Sequence, residues 1–139
     1  MTFSPSGEIK KCAWNARHFA EVGPTYIKEI KVETEYSESY IRFDSMGPVL
    51  LVMPWNFPFW QVLRQAIPTI LAGNTVVLKH ASNVPMCAAQ IEDFFKQAGF
   101  PEGIYQNMYI SSSKSEMIME HKHVRGLNLT GGERAGRVL

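Results

Sequence analysis

Three short stretches of this chain hold residues that could do chemistry, and each follows a segment that reads as a strand. Asn56 stands in Pro54-Trp55-Asn56-Phe57-Pro58, just after the run Val49 to Met53. A side-chain amide held between two prolines is a rigid donor, able to stabilise an oxyanion formed when a nucleophile attacks a carbonyl. The same asparagine could simply cap the helix that follows, and local pattern favours the cap. Lys79 closes the run Thr75 to Leu78. Its ammonium could bond ribose hydroxyls or a phosphate, or it could be a solvated lysine at a strand end. Ser82 and Asn83 follow in the same loop and could share that ligand or form a turn. The third stretch is Thr130-Gly131-Gly132, after Val124 to Leu129. Glycines at a strand-to-helix junction let backbone N–H groups approach a phosphate closely, although two adjacent glycines alone usually mark a turn.

The elements around these stretches alternate. Glu8 to Val22 spaces Ile9, Cys12, Ala13, Ala16, Phe19 and Ala20 for a helix, with Gly23-Pro24 as its stop. Tyr26 to Val32 and Tyr40 to Phe43 read as a hairpin or two edge strands. Val49 to Met53 is a continuous apolar strand of the kind buried on both faces. A helix with one apolar stripe follows, from Phe59 to Ile70; Pro68 predicts a kink or tight final turn and Gly73 the cap. Next come the strand Thr75 to Leu78, a helix from Pro85 to Gly99, a strand from Ile104 to Ile110, a short helix from Ser115 to Glu120 and a strand from Val124 to Leu129. Glu133 to Leu139 begins a last helix. Strand and helix in alternation predict an α/β fold: a partial Rossmann-like parallel sheet with helices on both faces, preceded by an amino-terminal helix and hairpin. The composition shift near Ser45 divides the chain into residues 1–45, the helix and hairpin, and 46–139, βα units whose short parallel sheet keeps an open edge. Such a sheet edge should drive self-association or recruit a covering partner.

The remaining candidates are poor. Cys12 and Cys87 sit on apolar stripes and read as core. They form no metal or redox spacing, and two free thiols fit a reducing cytoplasm. His121 and His123 do not share a helix face, His18 has no partner, and His80 could line the ligand loop or face water. The formal net charge of +1 leaves no basic face for nucleic acid. Met1 to Gly7 shows no secretory pattern, and the apolar runs are too short to span a bilayer.

Taken together, Pro54 to Pro58, Leu71-Ala72-Gly73-Asn74-Thr75-Val76-Val77-Leu78-Lys79, Ala98 to Gly103, and Thr130-Gly131-Gly132 with Gly136 resemble the aldehyde dehydrogenase superfamily, in that family's order. Met53 to Val62 and Lys79 to Val84 look closest to its succinate-semialdehyde dehydrogenase branch. The resemblance implies an NAD- or NADP-dependent oxidation of a small aldehyde. It matches Asn56 to the oxyanion-hole asparagine, Met53, Pro54 and Trp55 to residues bordering the nicotinamide, and Lys79 to the lysine on the adenosine ribose. Ser82 stands where many NAD-preferring members place glutamate, which removes repulsion against a 2′-phosphate. Gly132 replaces the usual serine, and Ser111 to Glu116 replaces a more glycine-rich loop. Thr130, Gly131 and Gly132 match the phosphate-facing turn, and the hairpin matches strands used for subunit assembly. The family's general-base glutamate and nucleophilic cysteine, counted from Asn56, would fall beyond Leu139. The resemblance thus describes an amino-terminal and cofactor-domain piece, inactive alone.

Overall fold

A computed structural model of the chain describes residues 5–138. Helix α1 (Pro5–Tyr26) leads into a two-stranded antiparallel ribbon, β1 (Ile30–Lys31) and β2 (Tyr40–Ile41). The strands β3 (Pro48–Met53), β4 (Thr75–His80), β5 (Tyr105–Asn107) and β6 (Gly126–Leu129) form one parallel sheet in the order β5-β4-β3-β6. Helix α2 (Trp60–Leu71) connects β3 to β4, α3 (Pro85–Gln97) connects β4 to β5, and a 3-10 turn (Ser112–Lys114) with α4 (Ser115–Met119) lies between β5 and β6. Helix α5 (Glu133–Val138) follows β6; Leu139, assigned by sequence to that helix, lies outside the described residues, as do Met1 to Ser4 of the amino-terminal reading.

Strand alternation divides the side chains between two faces. Val49, Leu51, Met53, Val76 and Leu78 face α2 and α3 and join Val62, Leu63, Ala66, Ala88 and Ile91 in the main core. Leu50 is fully buried on the opposite face, and so, by parity, is Lys79, whose Nζ reaches Ser112 of the 3-10 turn. Leu129 shares that face through its pairing with Val52, and Gly136 of α5 packs beside it. Both faces are therefore covered, as the continuous apolar strands require.

Several local expectations needed correction. Gly23-Pro24 does not stop α1, which runs on to Tyr26. Gly23 lies so close to the Leu71 side chain of α2 that a Cβ would collide with it. The α1–α2 contact outweighs the weak local helix preference of Gly and Pro, and Tyr26 is lost from the hairpin. The ribbon keeps only two residues per strand, all exposed. The strand read as Ile104 to Ile110 is three residues long, and Cys87 is only half-buried, while Cys12 is core. Pro68 falls in the last turn of α2, where Ala72 N–H still bonds Pro68 O at 3.0 Å and Gly73 N–H bonds Ile70 O at 2.9 Å. Gly73 takes a φ of +82°, the left-handed closure that glycine tolerates best.

Asn56 does not cap α2. Phe59 occupies the cap position with no side-chain bond of its own. The orphan N–H groups of Phe59 and Trp60 instead donate to Glu8 Oε1 of α1, at 2.9 and 2.8 Å. A carboxylate at a helix N-terminus satisfies two donors and meets the favourable end of the dipole. Glu8→Ala should lower stability by about 1–2 kcal/mol, the range for a lost cap. Urea denaturation checks this, and Glu8→Gln, which keeps an acceptor, should recover most of the loss.

Candidate functional site

The site is built by the register of three neighbouring strands. Val52 is paired with Lys79 on one side and with Leu129 on the other, and Met53 is paired with His80. The chain therefore leaves β3, β4 and β6 at one level of one sheet edge. Neighbouring strands lie roughly 5 Å apart, so the three exits fall within about 10 Å. The order also reverses here: β4 and β5 extend the sheet on one side of β3, and β6 returns on the other. The carboxyl end of such a switch point is where open α/β sheets bind ligands.

Each sequence-identified residue can now be placed. Met53 is buried as the last residue of β3. Pro54 is half-buried; Trp55, at 62 % exposure, belongs to no core. Asn56 is exposed, and its amide makes no hydrogen bond among the described residues, so both of its N–H donors are free for a ligand. Phe57 beside it has a φ of +52°, an unusual left-handed backbone for an aromatic residue. Ser82 is exposed in the turn between β4 and α3. With Leu78, Ala81, Asn107, Met108 and Ser111 it lines a cleft of about 320 Å³. Thr130 continues the ladder, its N–H donating to Val52 O at 3.0 Å. Gly132 has open space where a Cβ would stand, leaving its backbone approachable.

Lys79 lies inside β4, not past its end, and is 6 % exposed. Its ammonium donates to Ser112 Oγ at 3.0 Å and has no carboxylate partner among the described residues. Burial lowers its pKa from the ordinary lysine value. A buried cation with one neutral partner is costly unless a ligand completes its coordination.

His80 does not face water; of its two sequence readings the loop-lining one fits, since it walls the same cleft as Ser82. It is 7 % exposed and bonded on both ring nitrogens. Ala81 N–H donates to Nδ1 at 2.9 Å, which fixes Nδ1 as the unprotonated nitrogen. Nε2–H then donates to Pro58 O at 3.0 Å, with Met53 O 3.2 Å from Nδ1. Burial lowers the ring's pKa below 6.5, the Pro58 and Met53 carbonyls oppose that, and the Lys79 ammonium adds to it. The unfolded chain therefore takes up a proton first as pH falls. The stability associated with neutral His80 is complete above about pH 6.5 and is lost as pH falls below it. Urea midpoints at about pH 7.5 and pH 5.5 should show a smaller acid loss for His80→Gln than for the natural chain.

Arg64 was also missed, since only the apolar stripe of α2 drew notice. Its guanidinium donates to Thr130 Oγ1 at 3.1 Å, its Nε has no partner, and no carboxylate pairs with it among the described residues. A lone basic residue between buried Leu63 and Ala66 was the available signal.

Neither thiol lines the cleft beside Ser82. Burial and the nearby Glu8 raise Cys12 to about 11, and the same two causes raise Cys87. Neither is a ready thiolate at neutral pH. An apolar groove of about 490 Å³ between α1, α2 and α3 is lined by residues such as Ile9, Phe19, Ile67 and Phe94 and contains none of the rim residues. Among the described residues no group of His, Cys, Asp and Glu could hold a metal, and no helix is long and apolar enough to cross a membrane.

Comparison with known proteins finds relatives along nearly the whole chain. The chain is 45% identical over 129 residues to a probable succinate-semialdehyde dehydrogenase [NADP(+)] of Synechocystis, covering 93% of this chain and 28% of that protein. It is 41% identical over 139 residues to the succinate-semialdehyde dehydrogenase [NADP(+)] of Mycobacterium leprae, covering 98% of this chain and 30% of that one. The crystal structure of succinic semialdehyde dehydrogenase from Streptococcus pyogenes in complex with NADP+ superposes with a TM-score of 0.88 at 36% identity, over 94% of this chain and 29% of that chain. The chain thus spans less than a third of the length of these relatives. Residues 2–139 match the model of the aldehyde dehydrogenase family, and the chain belongs to that family.

Proposed function

We propose that this chain is the dinucleotide-gripping portion of an aldehyde dehydrogenase of the succinate-semialdehyde type. The observation that carries the reading is the buried Lys79, without a carboxylate partner among the described residues, at the same sheet level as the exits toward Asn56 and Thr130. In the proposal, Lys79 bonds the adenosine ribose and the N–H groups of Gly131 and Gly132 meet the phosphates. Met53, Pro54 and Trp55 border the nicotinamide, which when bound accepts hydride from the substrate carbon. The free amide of Asn56 donates to the oxyanion. Ser82 carries no charge to repel a 2′-phosphate, and relatives are named for NADP(+), so NADP+ should bind at least as tightly as NAD+. Succinate semialdehyde bears a carboxylate, and Arg64 offers a guanidinium beside Thr130 for an acid of that kind.

The 139-residue chain should not turn over an aldehyde alone, because burial keeps its two cysteines, Cys12 and Cys87, protonated and neither lines the cleft beside Ser82. Calorimetric titration with NADP+ and NAD+, beside an assay of aldehyde-dependent NADPH formation, tests this. Binding heat without turnover supports the reading; robust turnover by the pure chain, or no heat with either dinucleotide, removes it.

The exposed ribbon favours a second, compatible reading as an assembly module that pairs with further copies or with a separate catalytic half. Ile30, Tyr40, Ile41 and Phe43 are all about half exposed there. An isolated ribbon of this size is not independently stable in water. Light scattering should show association; a monomer that survives dilution counts against it.

A further inference from the structure

We propose that His80 is a positioning residue: its ring locks the Pro54–Pro58 turn into the conformation that presents Asn56. Its consequence for chemistry rests on the oxyanion reading of Asn56, whereas the lock itself does not. Phe57 is held at a φ of +52°, where a bulky L-residue is disfavoured. Such a backbone persists only when its surroundings over-determine it. Two prolines restrict the turn at either end, but proline rings fix φ at their own positions only. Pro58 has no N–H, so its carbonyl is the one backbone handle at that end. The handle is taken by His80 Nε2–H at 3.0 Å. Nδ1 is occupied in turn by Ala81 N–H at 2.9 Å, so the ring cannot flip without losing both bonds. The imidazole thus spans from the end of β4 to the far side of the Asn56 turn. It is 7 % exposed, so water offers little replacement for either partner. The charged neighbour on its own strand, Lys79, lies on the opposite face by strand alternation and leaves the ring's contacts to backbone groups.

The amide of Gln61 is the natural reporter, because it donates to Phe57 O at 3.0 Å and so opens when Phe57 leaves its conformation. Amide hydrogen exchange should be measured on the natural chain and on His80→Ala, His80→Gln and His80→Leu, with Leu50 and Leu78 as sheet references. A glutamine amide reaches the position of Nε2–H and keeps a donor for Pro58 O; leucine fills space without one. The expected result is Gln61 exchange about tenfold faster in His80→Ala and His80→Leu, near-natural exchange in His80→Gln, and unchanged references. If the alanine variant unfolds as a whole, the comparison of glutamine with leucine decides. Natural Gln61 protection in His80→Ala, or equal protection in His80→Gln and His80→Leu, overturns the proposal. Neither readout involves a dinucleotide, so failure here is distinct from failure of the binding reading.

Discussion

Lys79→Met is expected to weaken NADP+ binding by about tenfold or more while leaving the fold as stable as before, or slightly more stable. The two effects have one cause. The Lys79 ammonium is buried, bonded to a single serine hydroxyl and unpaired with any carboxylate among the described residues. Its burial already lowers its pKa, which shows that the charged form is disfavoured there. Methionine fills similar volume and removes the uncompensated charge, for a gain of up to about 1 kcal/mol. The hydrogen bonds that a charged donor would make to a ribose are worth about 1.5–3 kcal/mol, which sets the loss in affinity. Calorimetry and urea denaturation on the same sample separate the terms. A variant that binds NADP+ normally would show that Lys79 has no part in gripping it.

Asn74→Ala should produce the largest loss of stability in this chain, about 2–4 kcal/mol, through stranded polar groups. Asn74 is 7 % exposed. Its Oδ1 accepts from Met46 N–H at 2.7 Å and Gly47 N–H at 3.1 Å, and its Nδ2–H donates to Thr69 O at 3.3 Å. One side chain thus ties the entry of β3 to the end of α2 and the start of β4. Alanine removes the acceptor and leaves two backbone donors without partners beneath the sheet's amino edge. Asn74→Asp keeps the acceptor and should lose less. The change would be read as a shift in urea midpoint with little change in slope. A loss below about 0.5 kcal/mol, the range of an ordinary surface substitution, would mean that water reaches those donors.

The strand-helix alternation of this fold is legible in the sequence because each βα unit carries its own periodicity and punctuation. The apolar run Val49 to Met53, the stripe of α2 and the Gly73 closure are local signals, and each stands where the spacing puts it. The meeting of three strand exits on one rim also follows from parallel pairing, a rule of topology more than of residues. What sequence could not show depends on contacts between distant segments. Glu8 caps a helix that begins more than fifty residues later, so Asn56 is left free of the role its neighbours suggested. Gly23 meets Leu71, and α1 runs through a Gly-Pro pair that local propensity would stop. His80 looks like a loop residue beside Lys79; only the path of the Pro54–Pro58 turn reveals the carbonyl that makes it a buried donor. Lys79 itself reads as a strand end because lysine is seldom buried, and a ligand site is one place where that expectation gives way.

The central claim is that three exits of one parallel sheet together grip a single dinucleotide. It is tested most directly by titrating NADP+ into isotope-labelled chain and mapping which backbone amides shift. The account predicts saturable changes at all three places: Trp55 and Asn56 after β3, Lys79 to Ser82 at the end of β4, and Thr130 to Gly132 after β6. Shifts confined to one of the three, or gathered instead along the apolar groove between α1, α2 and α3, would contradict it.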